Sequence, residues 1–171
     1  LIMKQNTKNI LVSVLVIVVL FGGLIWFSRR GPSTGSEQVN SGLSGGILSS
    51  EESAFNFGEV SMANGKVSHV FKIKNNSSQP AVISKIYTSC MCTEASLIIG
   101  RERMGPYGMP GHGFIPSIDK TVNPGEEVDV EAVFDPAAHG PAGVGRIDRA
   151  VFVESKSGAP LQLTFSATVT P

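Results

Sequence analysis

The stretch Leu161-Gln-Leu-Thr-Phe165-Ser-Ala-Thr-Val169 alternates apolar and polar residues along its whole length. Successive side chains of a strand point to opposite faces of a sheet, so this alternation predicts a strand with one buried and one solvated face. The same pattern runs from Glu127 to Phe134. Shorter stretches of it occupy residues 55–60, 66–74, 81–87 and 146–154. Turns rich in Gly and Pro separate these stretches, and together they predict an all-β sandwich of about seven short strands over residues 54–171.

The spacing of these strands is typical of an immunoglobulin-like β-sandwich, in which two antiparallel sheets pack face to face. A chain of about 120 residues buries enough apolar surface for such a domain without crosslinks. Within residues 81–87, strict alternation predicts that Val82, Ser84 and Ile86 share one face. The same alternation places Ile83 and Lys85 on the opposite face.

An apolar run lies near the start of the chain. Residues 10–27 are aliphatic or aromatic apart from one serine and two glycines. As a helix rising 1.5 Å per residue, these 18 residues would span roughly 27 Å, close to the hydrocarbon thickness of a bilayer. Trp26 and Phe27, followed by Arg29 and Arg30, stand where a cleaved signal peptide has small residues. We interpret the run as an uncleaved transmembrane signal anchor.

This anchor predicts a single-pass protein of the cell membrane. The flanking basic residues nearly balance, so the orientation rests on the short tail, residues 1–9, which most often stays inside when it precedes a single span. The C-terminal domain is then extracytoplasmic. Residues 28–53 follow the anchor, and 13 of these 26 residues are Gly or Ser, which indicates a flexible linker.

The charge distribution excludes one class of partner. From Glu51 onward the chain has 13 acidic and 10 basic residues, and the basic residues form no cluster. Because nucleic-acid binding requires Lys and Arg gathered on one face, we predict no nucleic-acid partner. The sequence shows no catalytic motif and identifies no small-molecule substrate. We therefore expect that the protein is not an enzyme.

Five short motifs occur in an order that resembles a known family. They are Phe55-Asn-Phe-Gly-Glu-Val60, Phe71-Lys-Ile-Lys-Asn75, Thr88-Ser-Cys-Met-Cys-Thr93, Asn123-Pro-Gly-Glu126 and Val133-Phe-Asp-Pro136. The set resembles the bacterial domain-of-unknown-function family 1573, which is related to the Hydin and major-sperm-protein-like immunoglobulin-fold domains. The resemblance covers roughly residues 53–170. It implies an immunoglobulin-like sandwich that is often exported or membrane-tethered, without established enzymatic activity.

The sequence departs from the pattern of that family in two places. Met91 stands between the two cysteines, where Gly is common in the family. The connection after the cysteines is longer than usual, and we assign residues 94–122 to an inserted loop. Because this loop distinguishes the chain from the family, it is where we expect its particular function.

The segment 88–114 holds both cysteines of the chain, Cys90 and Cys92, together with Met109 and His112. Thiolates and thioethers select Cu(I), and imidazole completes such sites. Met109 and His112 lie among Gly and Pro residues that are unsuited to a core, so a fold of this stretch back over the cysteines would give these side chains a role. One hypothesis is therefore a soft-metal site of Cys90, Cys92, Met109 and His112, with copper as the suggested metal.

Two other interpretations of the cysteines stay open. A disulfide between Cys90 and Cys92 would exchange with partner thiols, but such a bridge requires Cα atoms within about 6.8 Å and hence a bent backbone. No Lys or Arg adjoins the cysteines in the sequence to favour a thiolate, and Glu94 opposes it. Alternatively, the cysteines are small half-buried apolar residues, and the loop 88–114 binds a partner protein.

The two remaining histidines have simpler interpretations. His69 lies on the apolar face of its strand, which predicts a packed, hydrogen-bonded side chain. His139 stands between Ala138 and Gly140 and is interpreted as a solvated loop residue. The sequence thus favours a membrane-anchored, extracytoplasmic binding or scaffolding module, with the membrane bound through residues 10–27. A thiol–disulfide redox protein is the alternative.

Overall fold

A computed structural model gives the structure of residues 46–171. The predicted tail, the predicted membrane anchor and most of the predicted linker fall within residues 1–45 and lie outside the described residues. Within residues 46–171, no helix is long and apolar enough to cross a membrane.

Two sheets make up the described part of the chain. In chain order the strands are β1 (Leu48–Ser49), β2 (Ala54–Ser61), β3 (Val67–Asn75), β4 (Ala81–Thr88), β5 (Thr93–Ile99), β6 (Glu102–Tyr107), β7 (Lys120–Val122), β8 (Glu127–Phe134), β9 (Gly145–Ser155) and β10 (Leu161–Thr170). Short 3-10 helices cover Met62–Asn64 and Gly140–Gly143. The sheets have the strand orders β1-β3-β8-β5-β6 and β2-β10-β9-β4-β7.

This strand order is that of an immunoglobulin-like sandwich. Strands β1, β3, β8 and β5 take the places of strands A, B, E and D in one sheet, and β4, β9 and β10 take those of C, F and G in the other. Strand β2 pairs parallel to β10, whereas the other neighbouring strands are antiparallel. The predicted all-β, immunoglobulin-like architecture is confirmed, with ten strands in the described residues instead of about seven.

The alternating strands supply the core between the sheets. In β8 the four inward residues, Val128, Val130, Ala132 and Phe134, are at most 3% exposed. In β10 the five residues of the predicted apolar face, from Leu161 to Val169, are at most 2% exposed. Each strand buries one face against the opposite sheet, so the predicted periodicity of these two strands is confirmed.

The predicted faces of β4 are wrong. Ile83 and Ile86 are both fully buried, although strict alternation puts them on opposite faces. The pairing of β4 with β9 shifts register between Ile83 and Lys85, which leaves Ser84 as an extra residue in the strand. A β-bulge of this kind resets the alternation. The hydroxyl of Ser84 donates to the backbone oxygen of Glu154 at 3.3 Å within this irregularity.

The structure also differs from the sequence prediction over residues 94–122. Strands β5 and β6 form a hairpin inside this segment. Strand β5 also pairs with β8, so it belongs to the body of the sheet. Strand β7 pairs with β4 at the other end of the segment. The connection that remains between β6 and β7 is residues 108–119.

The folded domain extends into the predicted linker. Leu48 is only 1% exposed and pairs with Asn75 of β3. The hydroxyl of Ser50 donates to the backbone oxygen of Lys72 at 2.7 Å. The boundary that the sequence placed at residue 53 is therefore too late, because the apolar side chain of Leu48 belongs to the core.

His69 lies where the sequence placed it, on the inward-leaning face of β3. Its ring stacks on Phe55 with 3.6 Å between ring centroids. Its Nε2 atom lies 3.0 Å from a carboxylate oxygen of Glu52. The prediction of a packed, hydrogen-bonded histidine is confirmed.

Candidate functional site

The two cysteines lie where the chain crosses from one sheet to the other. Strand β4 ends at Thr88 in one sheet, and β5 begins at Thr93 in the other. Ser89 fixes the start of this crossover to β9, since its backbone N–H donates to the oxygen of Ala150 and its hydroxyl accepts from the Ala150 N–H, both at 2.9 Å. The cysteines are therefore held on the frame of the sandwich.

A tight turn brings the two sulfur atoms together. The backbone N–H of Thr93 donates to the oxygen of Cys90 at 3.1 Å and closes the turn. The hydroxyl of Thr88 lies within 3.0 Å of the oxygens of both Cys90 and Thr93. This turn is the bend that an i,i+2 disulfide requires. The Cα atoms of Cys90 and Cys92 lie 5.3 Å apart, and a disulfide joins the two residues.

The two sulfur-bearing residues differ in exposure. Cys92 is 2% exposed and belongs to the core, whereas Cys90 is partly exposed and packs against it. Met91 between them projects outward and is 50% exposed. A reagent that arrives from solvent therefore meets Cys90 before Cys92.

Each sulfur atom has a nitrogen donor beside it. The Nε–H of Arg149 donates to Sγ of Cys92 at 3.2 Å. The Nε2 atom of His139 lies 3.2 Å from Sγ of Cys90. Because a disulfide sulfur carries no hydrogen, Nε2 must be the protonated ring nitrogen if this contact is a hydrogen bond in the disulfide state. Both nitrogens are thus placed to stabilise negative charge on sulfur.

His139 reaches Cys90 from the loop between β8 and β9. The backbone N–H of Asp135 donates to the oxygen of Cys92 at 2.9 Å and fixes the start of this loop against the crossover. A Cβ atom built on Gly143 would lie 3.2 Å from Cβ of His139. The loop therefore packs closely against the base of the histidine side chain, although the residue as a whole is exposed.

Together the side chains form a group with metal-binding chemistry. The ligand atoms of Cys90, Cys92 and His139 lie within 4.8 Å of one another. Within residues 46–171, these three residues are the His, Cys, Asp or Glu side chains that form a group of at least three with ligand atoms close enough to hold one ion. Two sulfur atoms and an imidazole form a soft donor set. The site can therefore either exchange disulfides or, when its sulfurs are reduced, donate to a soft metal.

Met109 and His112 occupy a different place from the predicted one. They line a surface cavity of about 410 Å³ together with Met91 and Phe114, and the two cysteines are not among its lining residues. The N–H of His112 donates to the oxygen of Met109 at 3.2 Å, which closes a turn in the connection between β6 and β7. The structure thus brings Cys90 and Cys92 together but sets His139, rather than His112, against them. The four-residue metal set stays a prediction.

Sequence reasoning missed the contacts of His139 and Arg149 with the cysteine sulfurs. His139 is exposed, as predicted, but it contacts Cys90. Arg149 is 57 residues from Cys92 along the chain, so a search for adjacent cations could not find it. One signal was present: Arg149 shares the alternation of Ile147 and Val151, both buried, and is thus a cation on the inward side of a strand.

A family model described as "Protein of unknown function (DUF1573)" matches residues 48–101. This stretch begins at the buried Leu48 and includes Cys90 and Cys92, whereas His139 and Arg149 lie beyond it. No curated protein matches the chain.

Solved structures show likeness at low sequence identity. A protein of unknown function from Porphyromonas gingivalis W83 has a TM-score of 0.50 and 11% identity, over 71% of this chain and 44% of that one. This chain therefore spans less than half of that protein. PapD-like domain 7 of human CEP192 has a TM-score of 0.41 and 12% identity, over 82% and 92% of the two chains. The CooA pilin subunit of enterotoxigenic Escherichia coli has a TM-score of 0.40 and 12% identity, over 70% and 92%.

At these identities the likeness to solved structures concerns the fold alone. The sequence match is the more specific finding, since it covers strand β4 before the crossover, the crossover itself and strand β5 after it. The match of residues 48–101 to the DUF1573 family model agrees with the resemblance drawn from the sequence motifs, three of which lie in this stretch.

Proposed function

We propose that the chain is a membrane-anchored, extracytoplasmic immunoglobulin-like module that performs thiol–disulfide exchange at Cys90 and Cys92. The anchoring and the location rest on the apolar run at residues 10–27. The sequence favoured a binding or scaffolding module without enzymatic activity and held redox chemistry as the alternative. The observation that carries the redox proposal is the placement of a side-chain nitrogen atom 3.2 Å from each sulfur of the disulfide, Nε2 of His139 at Cys90 and the Nε–H of Arg149 at Cys92.

The difference in exposure gives the exchange a direction. A partner thiolate attacks Sγ of Cys90, which is the accessible sulfur. A bond forms between the partner sulfur and Cys90, the bond between Cys90 and Cys92 breaks, and its electron pair stays on Sγ of Cys92. The resulting Cys92 thiolate is buried and accepts the hydrogen bond of Arg149, whose charge is permanent.

A second thiolate of the partner completes the reaction. It attacks the partner sulfur that is bound to Cys90 and releases Cys90 as a thiolate beside His139. The partner then holds a disulfide, and Cys90 and Cys92 have gained its two electrons. Every step is reversible, so the relative reduction potentials decide the direction of net flow.

The segment 88–114 supports a binding role next to the disulfide. Met91 and Phe114 line the same cavity and are 50% and 89% exposed. Exposed apolar side chains that adjoin one another in a patch mark surfaces that bind proteins, and these two side chains line one cavity. In this proposal the two side chains form the surface that binds the partner protein whose thiol exchanges with Cys90.

The two single-cysteine variants test the proposal directly. The full chain with Cys92→Ser keeps the accessible sulfur, and we expect it to form a stable mixed disulfide with glutathione on exposure to oxidised glutathione. Cys90→Ser leaves a sulfur that is 2% exposed, and we expect its reaction to be at least tenfold slower. Mass spectrometry of quenched samples gives both rates.

Thermal unfolding of both variants serves as the control, because loss of the fold would expose either cysteine. Equal reaction rates of the two folded variants would contradict the directional exchange. A folded Cys92→Ser variant that forms no mixed disulfide would remove the proposal altogether.

A further inference from the structure

We infer that the reduced forms of Cys90 and Cys92, together with His139, make a three-ligand site for Cu(I). The inference rests on the dithiol state that the proposed exchange produces, but it does not require exchange with a protein. It also differs from the four-residue set predicted from the sequence, because its imidazole belongs to His139 and not to His112.

The distances fit one small ion. Ligand atoms that bind a metal at about 2.0–2.3 Å in a trigonal arrangement lie roughly 3.8 Å from one another. Nε2 of His139 is 3.2 Å from Sγ of Cys90, and the three ligand atoms lie within 4.8 Å. Reduction breaks the bond between the sulfurs and lets them separate to this distance. The backbone turn that holds both cysteines stays closed by the Thr93 to Cys90 hydrogen bond.

The number and type of ligands favour Cu(I) over Zn²⁺. Structural zinc sites are almost always tetrahedral with four protein ligands, and zinc sites with three protein ligands add a water in the fourth position, whereas the described residues supply three ligands at this place. Thiolate ligands select Cu(I), which is satisfied by two or three donors. The burial of Cys92 leaves little room for water as a further ligand on its side of the site.

The charge of the complex is matched by its surroundings. Cu(I) with two thiolates and a neutral imidazole carries one negative charge, and its formation from the dithiol releases two protons. The guanidinium of Arg149 donates to Sγ of Cys92 and supplies the compensating positive charge. A Zn²⁺ ion with the same ligands would be neutral and would gain less from Arg149.

Binding is therefore coupled to the redox state of the cysteines. In the disulfide both sulfurs are bonded to each other and neither is a thiolate, so the donor set exists only after two-electron reduction. Sγ of Cys90 and Sγ of Cys92 serve both disulfide exchange and Cu(I) binding, so the protein cannot do both at the same time.

The test is an anaerobic titration of the full chain in detergent, reduced with a phosphine, with Cu(I) in competition with a chromophoric chelator. We expect one equivalent of Cu(I), and no competitive binding by the disulfide form. The double variant Cys90→Ser/Cys92→Ser should lose the site. His139→Gln should weaken binding by tenfold or more, since one of three ligands is removed.

Matched variants separate this site from the one predicted by sequence. His112→Gln and Met109→Leu remove side chains that line the neighbouring cavity, and we expect an unchanged Cu(I) affinity. X-ray absorption of the loaded protein should show two sulfur atoms and one nitrogen around copper. The unfolding temperature of each reduced variant confirms that its fold is retained.

Equal affinities of His139→Gln and the parent chain would overturn the inference, and so would a loss of binding in His112→Gln alone. Tight binding by the disulfide form would overturn the redox coupling. Trapping of the glutathione adduct by Cys92→Ser needs no metal, so a failure of copper binding and a failure of disulfide exchange are separate results.

Discussion

The Nε atom of Arg149 lies 3.2 Å from Sγ of Cys92, a sulfur that is almost wholly buried. This contact puts a permanent positive charge beside the atom that becomes a thiolate on reduction. Its Nη1 atom also donates to the backbone oxygen of Asp148 at 2.9 Å, which fixes the guanidinium in this orientation. The reduced state of the pair is thereby stabilised relative to the disulfide.

Arg149→Gln should therefore make the reduction potential of the cysteine pair more negative. Loss of a charge-assisted hydrogen bond to the thiolate costs about 1.5 kcal/mol, which corresponds to a shift of about 30 mV for a two-electron couple. Equilibration with glutathione redox buffers measures the potential. Arg146→Gln is the matched control, because Arg146 lies on the same strand but pairs with Asp148 and is exposed. Equal shifts in the two variants would contradict the specific role of Arg149.

Gly143→Ala tests the placement of His139 without changing any ligand. The added Cβ would lie 3.2 Å from Cβ of His139 and 3.5 Å from Cε of Met62, so the histidine must move by a few tenths of an ångström or more. We expect Cu(I) affinity to fall severalfold, measured by the same chelator competition. Gly113→Ala is the control, because a Cβ at Gly113 meets no atom within 4 Å. An unchanged affinity in Gly143→Ala would mean that His139 needs no precise placement.

Leu48→Ala should destabilise the domain, although the sequence assigned this residue to a linker. The side chain is 1% exposed, and truncation of a buried leucine costs about 2–5 kcal/mol. Urea unfolding monitored by circular dichroism measures the loss. Val70→Ala serves for comparison, since Val70 is 41% exposed and should change the stability by about 0.5 kcal/mol or less. If Leu48→Ala lowers the free energy of unfolding no more than Val70→Ala does, the domain boundary lies after residue 48.

The stability of the domain should fall in strongly alkaline solution because of Tyr87 and Tyr107. Burial raises the pKa of Tyr87 above its usual value of 10.0, and the hydrogen bond with Glu154 and the charge of that carboxylate raise it further. Burial also raises the pKa of Tyr107, against the opposing charge of Lys120. Between the unfolded and the folded pKa the folded state binds more protons, so the free energy of unfolding decreases as pH rises through this range.

The stabilisation is complete below pH 10.0, where both states are protonated. Urea unfolding of the parent chain at pH 8 and at pH 11, compared with Tyr87→Phe/Tyr107→Phe, isolates the two phenols. Between these two pH values we expect the free energy of unfolding to decrease less in the double variant than in the parent chain. An equal decrease in both proteins would assign the alkaline loss to other groups.

The sequence predicted the regular strands well and the irregular segments poorly. In β8 and β10 each residue alternates between core and solvent, so the apolar pattern reports the structure directly. In β4 the bulge at Ser84 changes the face of every later residue, and no local pattern announces it. Strand β5 escaped prediction because Ala95, Ser96 and Leu97 are buried in succession, so the strand shows no period of two.

The candidate site shows the same division. From the sequence alone, Cys90 and Cys92 are close neighbours after a predicted strand, because Met91 alone separates them. The side chains that surround the two cysteines are set by the packing of the two sheets. His139 lies in a loop 49 residues beyond Cys90, and Arg149 lies in a strand 57 residues beyond Cys92. The pairing of strands across the sandwich brings these distant residues to one place, because contacts in an immunoglobulin-like fold join segments that are remote along the chain.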